Sequence, residues 1–344
     1  MQLVVDAMGG DVAPGPAVAG ALLSARRLGL RVALSGPPEL IQAELDRHDV
    51  KGLDIEIIPA GEVIGMDELQ PAEAIRSRPD NSISRGLRHL RHGDAQAFVT
   101  MGHTGAGMAA AALNLGRLHG VKRAGLAVPF PTQSGPCALI DVGANADVRP
   151  EFLQQFAIMG AVYAEKVLGI HNPRVGLLTI GEERGKGNQV VQEAFPLLER
   201  AGLNFIGGVE GRDLPEGKVN VVVTDGFTGN VLIKFAEGVG GLVSKILRDS
   251  AKGDPLALLG GLLMRGAFKR ARAQMDYRAY GGATLLGTRG VVVIGHGRSD
   301  AEAVYTAISV ACRAVENGMV EAIGAGVARA IEALPDQIEA VLDD

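Results

Sequence analysis

Short apolar runs alternate along the chain with stretches whose apolar residues recur at helical spacing. The runs are rich in valine, isoleucine and leucine, as the strands of a buried parallel sheet are. They predict strands at 3–5, 31–36, 53–60, 95–100, 137–143, 174–181, 219–226 and 290–297. Helices are predicted between them at about 16–28, 38–47, 105–118, 150–168, 188–201 and 300–318, with a further helix after the turn at 225–230. The alternation indicates an α/β fold in which helices cover both faces of a mostly parallel sheet.

One segment departs from this alternation. Residues 254–276 open on an Asp-Pro pair, which is typical of helix starts, and continue through an apolar half from Leu256 to Met264 into a basic half. We predict that this segment, at about 250–276, protrudes and contacts a second subunit or an anionic membrane surface. The residues expected to make such contacts are Leu258, Leu259, Leu262, Leu263, Arg265, Lys269 and Arg270.

Composition places the chain among globular proteins. It has 344 residues, of which 47% are hydrophobic and 21% are charged, so a large core can form. No linker divides the chain, and we predict a single domain spanning residues 1–344. The net charge of −5 argues against a general nucleic-acid-binding protein, which would carry a basic excess.

Cysteine content and hydropathy narrow the remaining classes. Cys137 and Cys312 are the only cysteines; they permit neither a disulfide framework nor a cysteine metal site, and both fit core positions. The N-terminus lacks the basic start and long apolar stretch of a secretory signal. No run of about 18 apolar residues predicts a membrane span. We therefore expect a cytoplasmic protein.

Glycines and small polar residues follow nearly every predicted strand. Five such turns are DAMGGD (6–11), GHTGAG (102–107), DVGAN (141–145), GEERGKGN (181–188) and DGFTGN (225–230). In open α/β sheets, ligands bind at the carboxyl ends of the strands, where free N–H groups of helix starts attract anions. We expect the five turns to converge on one edge of the sheet and to form an anion site there.

None of these turns matches a nucleotide-binding motif. The stretch from Gly181 to Lys186 is one residue short of a P-loop, and Gly187 replaces the hydroxyl that would hold magnesium. The GHTGAG turn lacks the glycine spacing and the later acidic residue of a Rossmann fingerprint. We interpret Lys186 as a cation that neutralises an anion and is positioned by Glu182 or Glu183. A solvated charged turn is the alternative interpretation of this stretch, and ordinary turn and helix-capping chemistry is the alternative for DGFTGN.

The turns supply two groups of candidate site residues and no candidate metal ligands. The candidates for catalysis are Lys186, Asn230, His103 and Glu183. The candidates for binding substrate and phosphate are Asp6, Gly9, Gly10, Asp11, Thr104, Gly105, Asn145, Glu182, Asn188, Asp225, Thr228, Lys234 and His296. Lys234 lies one helical turn after Asn230, near enough to share an anion with it.

Seven stretches occur together in the order VDAMGGDVAP, HTGAGM, ALIDVGAN, QFAIMG, NPRVGLLTIGEERGKGN, DGFTGNVLIKFAEG and YGGATLLGTRGVVVIGHG. From Asp6 to about His296, this pattern resembles the PlsX family of bacterial phosphate acyltransferases. The resemblance implies a three-layer α/β/α sandwich related to phosphotransacetylases and isocitrate-dehydrogenase-like enzymes. Two positions depart from the usual family pattern, which has an asparagine in place of His103 and a serine near Thr100.

The resemblance also implies an activity and partners. The expected reaction is the reversible transfer of a fatty acyl group from acyl carrier protein to inorganic phosphate, without cofactor or metal. The acyl phosphate formed would feed phosphatidic acid and phospholipid synthesis. The expected partners are acyl carrier protein, a second copy of the chain, the inner face of the cell membrane and a downstream glycerol-3-phosphate acyltransferase. Because the carrier protein is acidic, the basic half of residues 254–276 is a candidate for binding it as well as lipid.

Under this hypothesis, phosphate attacks the thioester directly. Lys186 and Lys234 hold the phosphate, and Asn230, Thr104, His103 or a loop N–H stabilises the oxyanion. Three alternatives stay open: a phosphotransacetylase acting on acyl-CoA, a nicotinamide-dependent decarboxylating dehydrogenase of related fold, and a non-catalytic scaffold on the membrane surface. The dehydrogenase would need a metal-binding cluster of aspartates, and the sequence offers none.

Overall fold

The computed structural model describes residues 1–250, 252, 256, 260, 262–267 and 281–332. Its strands are β1 (Gln2–Asp6), β2 (Arg31–Gly36), β3 (Ile55–Pro59), β4 (Ala97–Thr100), β5 (Gly125–Thr132), β6 (Gly135–Ile140), β7 (Val175–Leu178), β8 (Phe205–Val209), β9 (Val221–Val223), β10 (Ala283–Leu286) and β11 (Val291–Ile294). Its helices are α1 (Gly15–Leu28), α2 (Pro38–Leu45), α3 (Pro71–Ser77), α4 (Ser82–His92), α5 (Thr104–Asn114), α6 (Pro150–Lys166), α7 (Gln189–Glu199), α8 (Asp213–Glu216), α9 (Gly226–Ser250), α10 (Ala301–Glu316) and α11 (Met319–Glu332). Every strand and helix predicted within the described residues is present, and most of the predicted segment at about 250–276 lies outside them.

The strands form one sheet in the order β3-β2-β1-β4-β11-β10-β5-β6-β9-β7-β8. Neighbouring strands are parallel except in three pairs: β11 with β10, β10 with β5, and β5 with β6. The prediction of a mostly parallel sheet is therefore confirmed.

The three antiparallel pairs divide the sheet into halves that run in opposite directions. β1, β4 and β11 point one way, whereas β6, β9 and β7 point the other way. The prediction that all five turns converge on one edge of the sheet is therefore wrong. Two hairpins reverse the chain, β5–β6 and β10–β11, and glycines with positive φ stand at both turns: Gly135 (108°) and Gly287 (87°).

Helices cover both faces of the sheet. Successive strand residues point to opposite faces, so Leu3 and Val5 pack into one core and Val4 packs into the other. The first core lies under α1, α2, α6, α7, α10 and α11, and the second lies under α3, α4, α5, α8 and α9. The predicted α/β/α sandwich is thus confirmed. Among the described residues, none of the helices combines the length and the apolarity that crossing a membrane requires.

Candidate active site

A buried carboxylate holds the turns of the first half of the sheet together. Asp6, at the end of β1, accepts hydrogen bonds from Thr100 Oγ1 (2.7 Å) and from the Met8 N–H (3.1 Å). Thr100 Oγ1 in turn accepts a hydrogen bond from the Gly102 N–H (2.8 Å). Burial raises the pKa of Asp6, and these hydrogen bonds oppose the shift. Asp6 is only 1% exposed. It therefore positions the turns after β1 and β4 from the interior of the protein.

The turn after β1 packs against its neighbours at close range. A Cβ on Gly9 would lie 2.7 Å from the Gly102 nitrogen, so the approach requires glycine. Gly10 has a φ of 111°, which also favours glycine. The exposed Asp11 places its Oδ2 3.9 Å from Arg298 Nε, in the turn after β11. The turns after β1, β4 and β11 therefore pack together as one surface at this end of the sheet.

Helix α5 begins at this surface, directly after the turn that follows β4. His103 caps the helix, its Nδ1 accepting from the Ala106 N–H (3.4 Å), and Thr104 and Gly105 form the first turn. His296, in the turn after β11, is exposed, and its Nδ1 accepts a backbone N–H two residues later (3.2 Å). Because helix starts carry free N–H groups and a partial positive charge, this end of α5 can bind a phosphate group.

A second buried carboxylate organises the other half of the sheet. Asp141, just after β6, accepts five hydrogen bonds of 2.7 to 3.2 Å, from the N–H groups of Leu126, Gly143, Ala144 and Asn145 and from the Asn145 side-chain amide. Burial raises the pKa of Asp141, and the donors oppose this shift. Because all five partners are donors, the site is built for the ionised form.

Asn145 connects this arrangement to α9. Its side-chain amide also donates to the Ala124 oxygen (2.8 Å), and its backbone oxygen accepts from the N–H of Gly226, the first residue of α9 (2.7 Å). A Cβ on Gly229 would lie 1.9 Å from the Asp141 oxygen, so the helix is pressed against the end of β6. The backbone N–H, the backbone oxygen and the side-chain NH2 group of Asn145 are thus occupied in joining two turns.

The first turn of α9 is capped by Asp225. Its Oδ1 accepts from the Thr228 N–H and its Oδ2 from the Thr228 hydroxyl, both at 2.7 Å. Helix capping therefore accounts for the contacts of these two residues. Asn230 follows within the first turns, and one turn later Lys234 Nζ pairs with Glu237 Oε2 at 3.1 Å.

A cavity of about 350 Å³ lies between α5 and α9. Thr104 and Gly105 line it from α5, Asn230 and Lys234 line it from α9, and His296 lines it from the turn after β11. The remaining wall is largely apolar and includes Met101, Met108, Leu126, Val128, Val142, Ile233 and Ile294. The cavity thus brings together turns from both halves of the sheet. Its polar groups beside an apolar wall suit a ligand with a polar head and an apolar chain.

The turn after β7 lies outside this cavity. Lys186, Glu182, Glu183 and Asn188 are exposed, and none of them lines its walls. Asn188 caps α7, its Oδ1 accepting a backbone N–H at 2.9 Å. In the part of the chain that the structure describes, Lys186 has no carboxylate partner at ion-pair distance. β7 pairs with β9, so this turn lies at the same end of the sheet as the start of α9.

Some residues that line the cavity were not predicted from the sequence. Glu237, Ser299 and Met108 line the cavity and are not among the candidates. Glu237 was recognisable, because an acid three residues after Lys234 on a helix can pair with it. Within the described ranges, no group of three or more His, Cys, Asp or Glu side chains is placed to hold a metal ion.

Helix α9 carries an exposed apolar stripe that the sequence analysis does not predict. Its side chains recur every three or four residues and are each at least 40% exposed: Phe227, Val231, Phe235, Val239, Leu242, Val243, Ile246 and Leu247. Of the predicted membrane and carrier contacts, Leu262 and Leu263 are 64% and 79% exposed, and Arg265 is exposed as well. Leu258, Leu259, Lys269 and Arg270 lie outside the described residues.

The fold recurs in a solved structure of known activity. A phosphotransacetylase, EutD from Staphylococcus aureus, superimposes with a TM-score of 0.61 over 92% of this chain and 94% of its own. At 16% sequence identity, the likeness shows the fold alone. It agrees with the phosphotransacetylase-like sandwich that the resemblance implies.

Sequence relatives are much more similar. A phosphate acyltransferase from Desulfitobacterium hafniense (strain DSM 10664 / DCB-2) is 46% identical over 324 residues, covering 94% of this chain and 96% of the relative. A phosphate acyltransferase from Heliobacterium modesticaldum is 45% identical over 342 residues, covering 99% and 100%. The model of the family described as fatty acid synthesis protein (FA_synthesis) matches residues 1–322. The chain therefore belongs to this family, together with these phosphate acyltransferases, as its turns imply.

Proposed function

We propose that this chain transfers a fatty acyl group from acyl carrier protein to inorganic phosphate, and that the reaction takes place in the cavity between α5 and α9. Acyl transfer to phosphate is the activity for which its relatives are named, and the chain is an acyltransferase of lipid biosynthesis. The observation that carries the proposed location is the cavity itself, where a helix start, an amide and a lysine face an apolar wall.

Phosphate binds at the polar end of the cavity in this proposal. The free N–H groups at Thr104 and Gly105 and the charge of Lys234 provide its partners. Lys234 pairs with Glu237 in the structure, so an incoming phosphate competes with Glu237 for the ammonium group. Glu237 thereby keeps Lys234 beside the cavity and yields it to a dianion of higher charge.

The acyl chain lies along the apolar wall, with its carbonyl carbon within reach of a phosphate oxygen. A phosphate oxygen attacks this carbon, so a C–O bond forms, the C–S bond breaks and the carrier leaves as a thiolate that takes a proton from solvent. Negative charge develops on the carbonyl oxygen, and Asn230 Nδ2 or a free N–H of α5 donates to it, worth about 3 kcal/mol per donor. A thiolate leaves readily, so no strong general acid is required.

Lys186 acts from the neighbouring turn in this proposal. It has no carboxylate partner at ion-pair distance in the described part of the chain, and it lies at the same sheet end as the start of α9. A free cation there attracts phosphate towards the site. Glu182 and Glu183, exposed in the same turn, are proposed to orient it.

Three alanine variants test this assignment by phosphate-dependent consumption of acyl carrier thioester. Asn230→Ala should lower kcat by about 10²- to 10³-fold, as loss of an oxyanion donor does. Lys234→Ala should raise the KM for phosphate, and Lys186→Ala should lower kcat/KM for phosphate while the fold stays intact, because it removes the cation that attracts phosphate. Lys245→Ala, on the exposed part of α9, is the matched control. Near-normal turnover of Asn230→Ala would remove the reaction from this cavity, and a near-normal kcat/KM for phosphate in Lys186→Ala would remove that lysine from it.

The chain is further proposed to act as a homodimer at the inner face of the cell membrane. The apolar stripe of α9 would be buried against the same stripe of a second copy, since exposed apolar patches of this length mark interaction surfaces. Leu262, Leu263 and Arg265 would touch anionic lipid, which combines apolar burial with charge attraction. This position would deliver acyl phosphate to a downstream membrane acyltransferase.

A further inference from the structure

Four arginines meet at the end of α5 that is remote from the cavity. Arg88 Nε donates to Asn114 Oδ1 (3.2 Å) and Arg91 Nη1 to the Asn114 backbone oxygen (3.1 Å), which ties α4 to the end of α5. Arg289 Nε donates to the Arg117 backbone oxygen (2.9 Å), and Arg117 Nη1 donates to the Lys122 backbone oxygen. The arginine surface consists of these four residues: Arg88, Arg91, Arg117 and Arg289.

Within the described residues, no carboxylate lies at ion-pair distance from any of the four guanidinium groups of the arginine surface. Each guanidinium is oriented by a neutral carbonyl or amide oxygen. The nearby acids have other partners at close range. Asp80 pairs with Arg85 and acts on Arg88 only from beyond ion-pair distance. Glu56 and Asp94 face His89 at 3.9 and 3.8 Å. Four fixed positive charges therefore stand together on a chain whose net charge is −5.

Helix capping explains only part of this arrangement. Arginines near a helix C-terminus bind its last carbonyls and interact favourably with the helix dipole, as Arg91 does at Asn114. A guanidinium has five N–H donors in a fixed fork. One or two donors of each arginine are used internally, and the others of the exposed Arg91, Arg117 and Arg289 face solvent. These three guanidinium groups are held in place and have no ion-pair partner in the described part of the chain, so each can bind a carboxylate in a bidentate manner.

Helix α5 links the arginine surface to the cavity. Thr104 and Met108 line the cavity at its start, and Asn114 holds two of the arginines at its end. The helix has eleven residues, so the two sites lie about 16 Å apart along it. Leu113, beside Asn114, is 57% exposed. An exposed leucine bordered by arginines has the composition of a protein-binding site, with an apolar centre and a charged rim.

We propose that the arginine surface docks an acidic carrier protein whose thioester arm runs along α5 into the cavity. This inference rests on the proposed function, because it takes the acyl donor to be carrier-bound. Charge complementarity favours the occupant: carboxylates of the carrier bind the arginines while Leu113 contacts its apolar surface. The docking site is thus separate from the basic half of residues 254–276, which is left for lipid.

The test reverses charge at the arginine surface and compares two donors. Arg91→Glu with Arg289→Glu is measured against Arg26→Glu with Arg329→Glu, an equal charge change at exposed arginines of α1 and α11 on the opposite face of the sheet. The donors are acyl carrier protein and a small acyl thioester of N-acetylcysteamine. Arg91→Gln with Arg289→Gln, which removes charge without reversing it, serves if the glutamate pair fails to fold by circular dichroism.

The expected result is a loss of about tenfold or more in kcat/KM for the carrier-bound donor, with a weaker salt dependence. The small thioester should react within twofold of the unchanged chain, and the control pair should react normally with both donors. Equal losses for both donors, or no difference from the control pair, would overturn the proposal. So would loss of flotation with anionic vesicles while carrier turnover stays normal, since the surface would then be a lipid contact.

Failure of the proposed function has a different outcome. If the unchanged chain makes acyl phosphate only from the small thioester, the donor is not a carrier protein and the docking proposal falls with it. If it makes none from either donor, the proposed reaction is wrong. Titration calorimetry of the carrier protein against the same variants then decides the docking separately, with binding lost in the arginine pair alone as the supporting result.

Discussion

Replacing Asp141 by asparagine probes the connection between β6 and α9. Asp141 Oδ1 accepts three backbone N–H groups, and Oδ2 accepts the backbone N–H and the side-chain amide of Asn145. An asparagine can keep its oxygen at the Oδ1 position, but its NH2 group then faces the two donors of Asn145 and accepts neither. The change therefore alters hydrogen bonding and charge with almost no change in volume.

The size of the effect follows from these contacts. Two hydrogen bonds to a charged group are lost, at about 1.5–3 kcal/mol each, which gives about 3–6 kcal/mol. Burial raises the pKa of Asp141, so the native chain also bears a cost for the buried charge that the amide avoids. We therefore expect the lower end of the range, a loss of about 3 kcal/mol in the free energy of unfolding, out of the 5–15 kcal/mol typical of native proteins.

Urea unfolding followed by circular dichroism at neutral pH measures this loss. Asp11→Asn is the control, because Asp11 is exposed and its change should cost less than about 0.5 kcal/mol. Turnover per folded molecule should also fall in Asp141→Asn, since Asn145 ties Asp141 to the helix that carries Asn230. A loss below about 1 kcal/mol with an unchanged m-value would show that the two hydrogen bonds from Asn145 to Asp141 do not stabilise the fold as expected.

Three further predictions concern pH, membrane binding and assembly. Burial raises the pKa of Asp6 above its ordinary value of 3.8, so its proton binds more tightly in the folded chain; the stability of the native chain over Asp6→Asn should be largest near pH 4 and should shrink as the pH rises through the folded pKa. Urea unfolding of both chains from pH 4 to 7 checks this, and a difference that grows with pH would contradict it. Leu262→Glu with Leu263→Glu should reduce flotation with anionic vesicles, whereas Leu40→Glu, at an exposed leucine of α2, should not; equal flotation of both would exclude this contact. Phe235→Glu with Val239→Glu should sediment as a monomer, and an unchanged dimer would place the interface elsewhere.

Most strands of the fold could be predicted from the sequence, and their directions could not. Buried valine and isoleucine runs mark most strands by composition. β5 escapes because Pro129 and Pro131 weaken its strand signal, and β8 escapes because Gly207 and Gly208 do the same. Without β5 and β10, the chain looks uniformly parallel. The two halves of the sheet could therefore not be recognised as opposed.

Because the strand order and the strand directions could not be predicted, the candidate site could be predicted only in part. The sequence shows which polar residues follow each strand, and Thr104, Asn230, Lys234 and His296 all line the cavity. It does not show that Lys186 follows a strand two positions away from β6 in the sheet, outside the cavity walls. The buried roles of Asp6 and Asp141 depend on tertiary contacts from other strands, which no local pattern contains.

The proposed reaction is tested most directly by the product that the purified chain forms from acyl carrier protein and inorganic phosphate. We expect ³¹P NMR to detect acyl phosphate, with free carrier thiol released in equal amount and no added metal or nucleotide. The kcat/KM should be at least about tenfold higher with the carrier-bound donor than with acyl-CoA. Thiol release without acyl phosphate would exclude acyl transfer to phosphate, and a preference for acyl-CoA would exclude the carrier protein as the acyl donor.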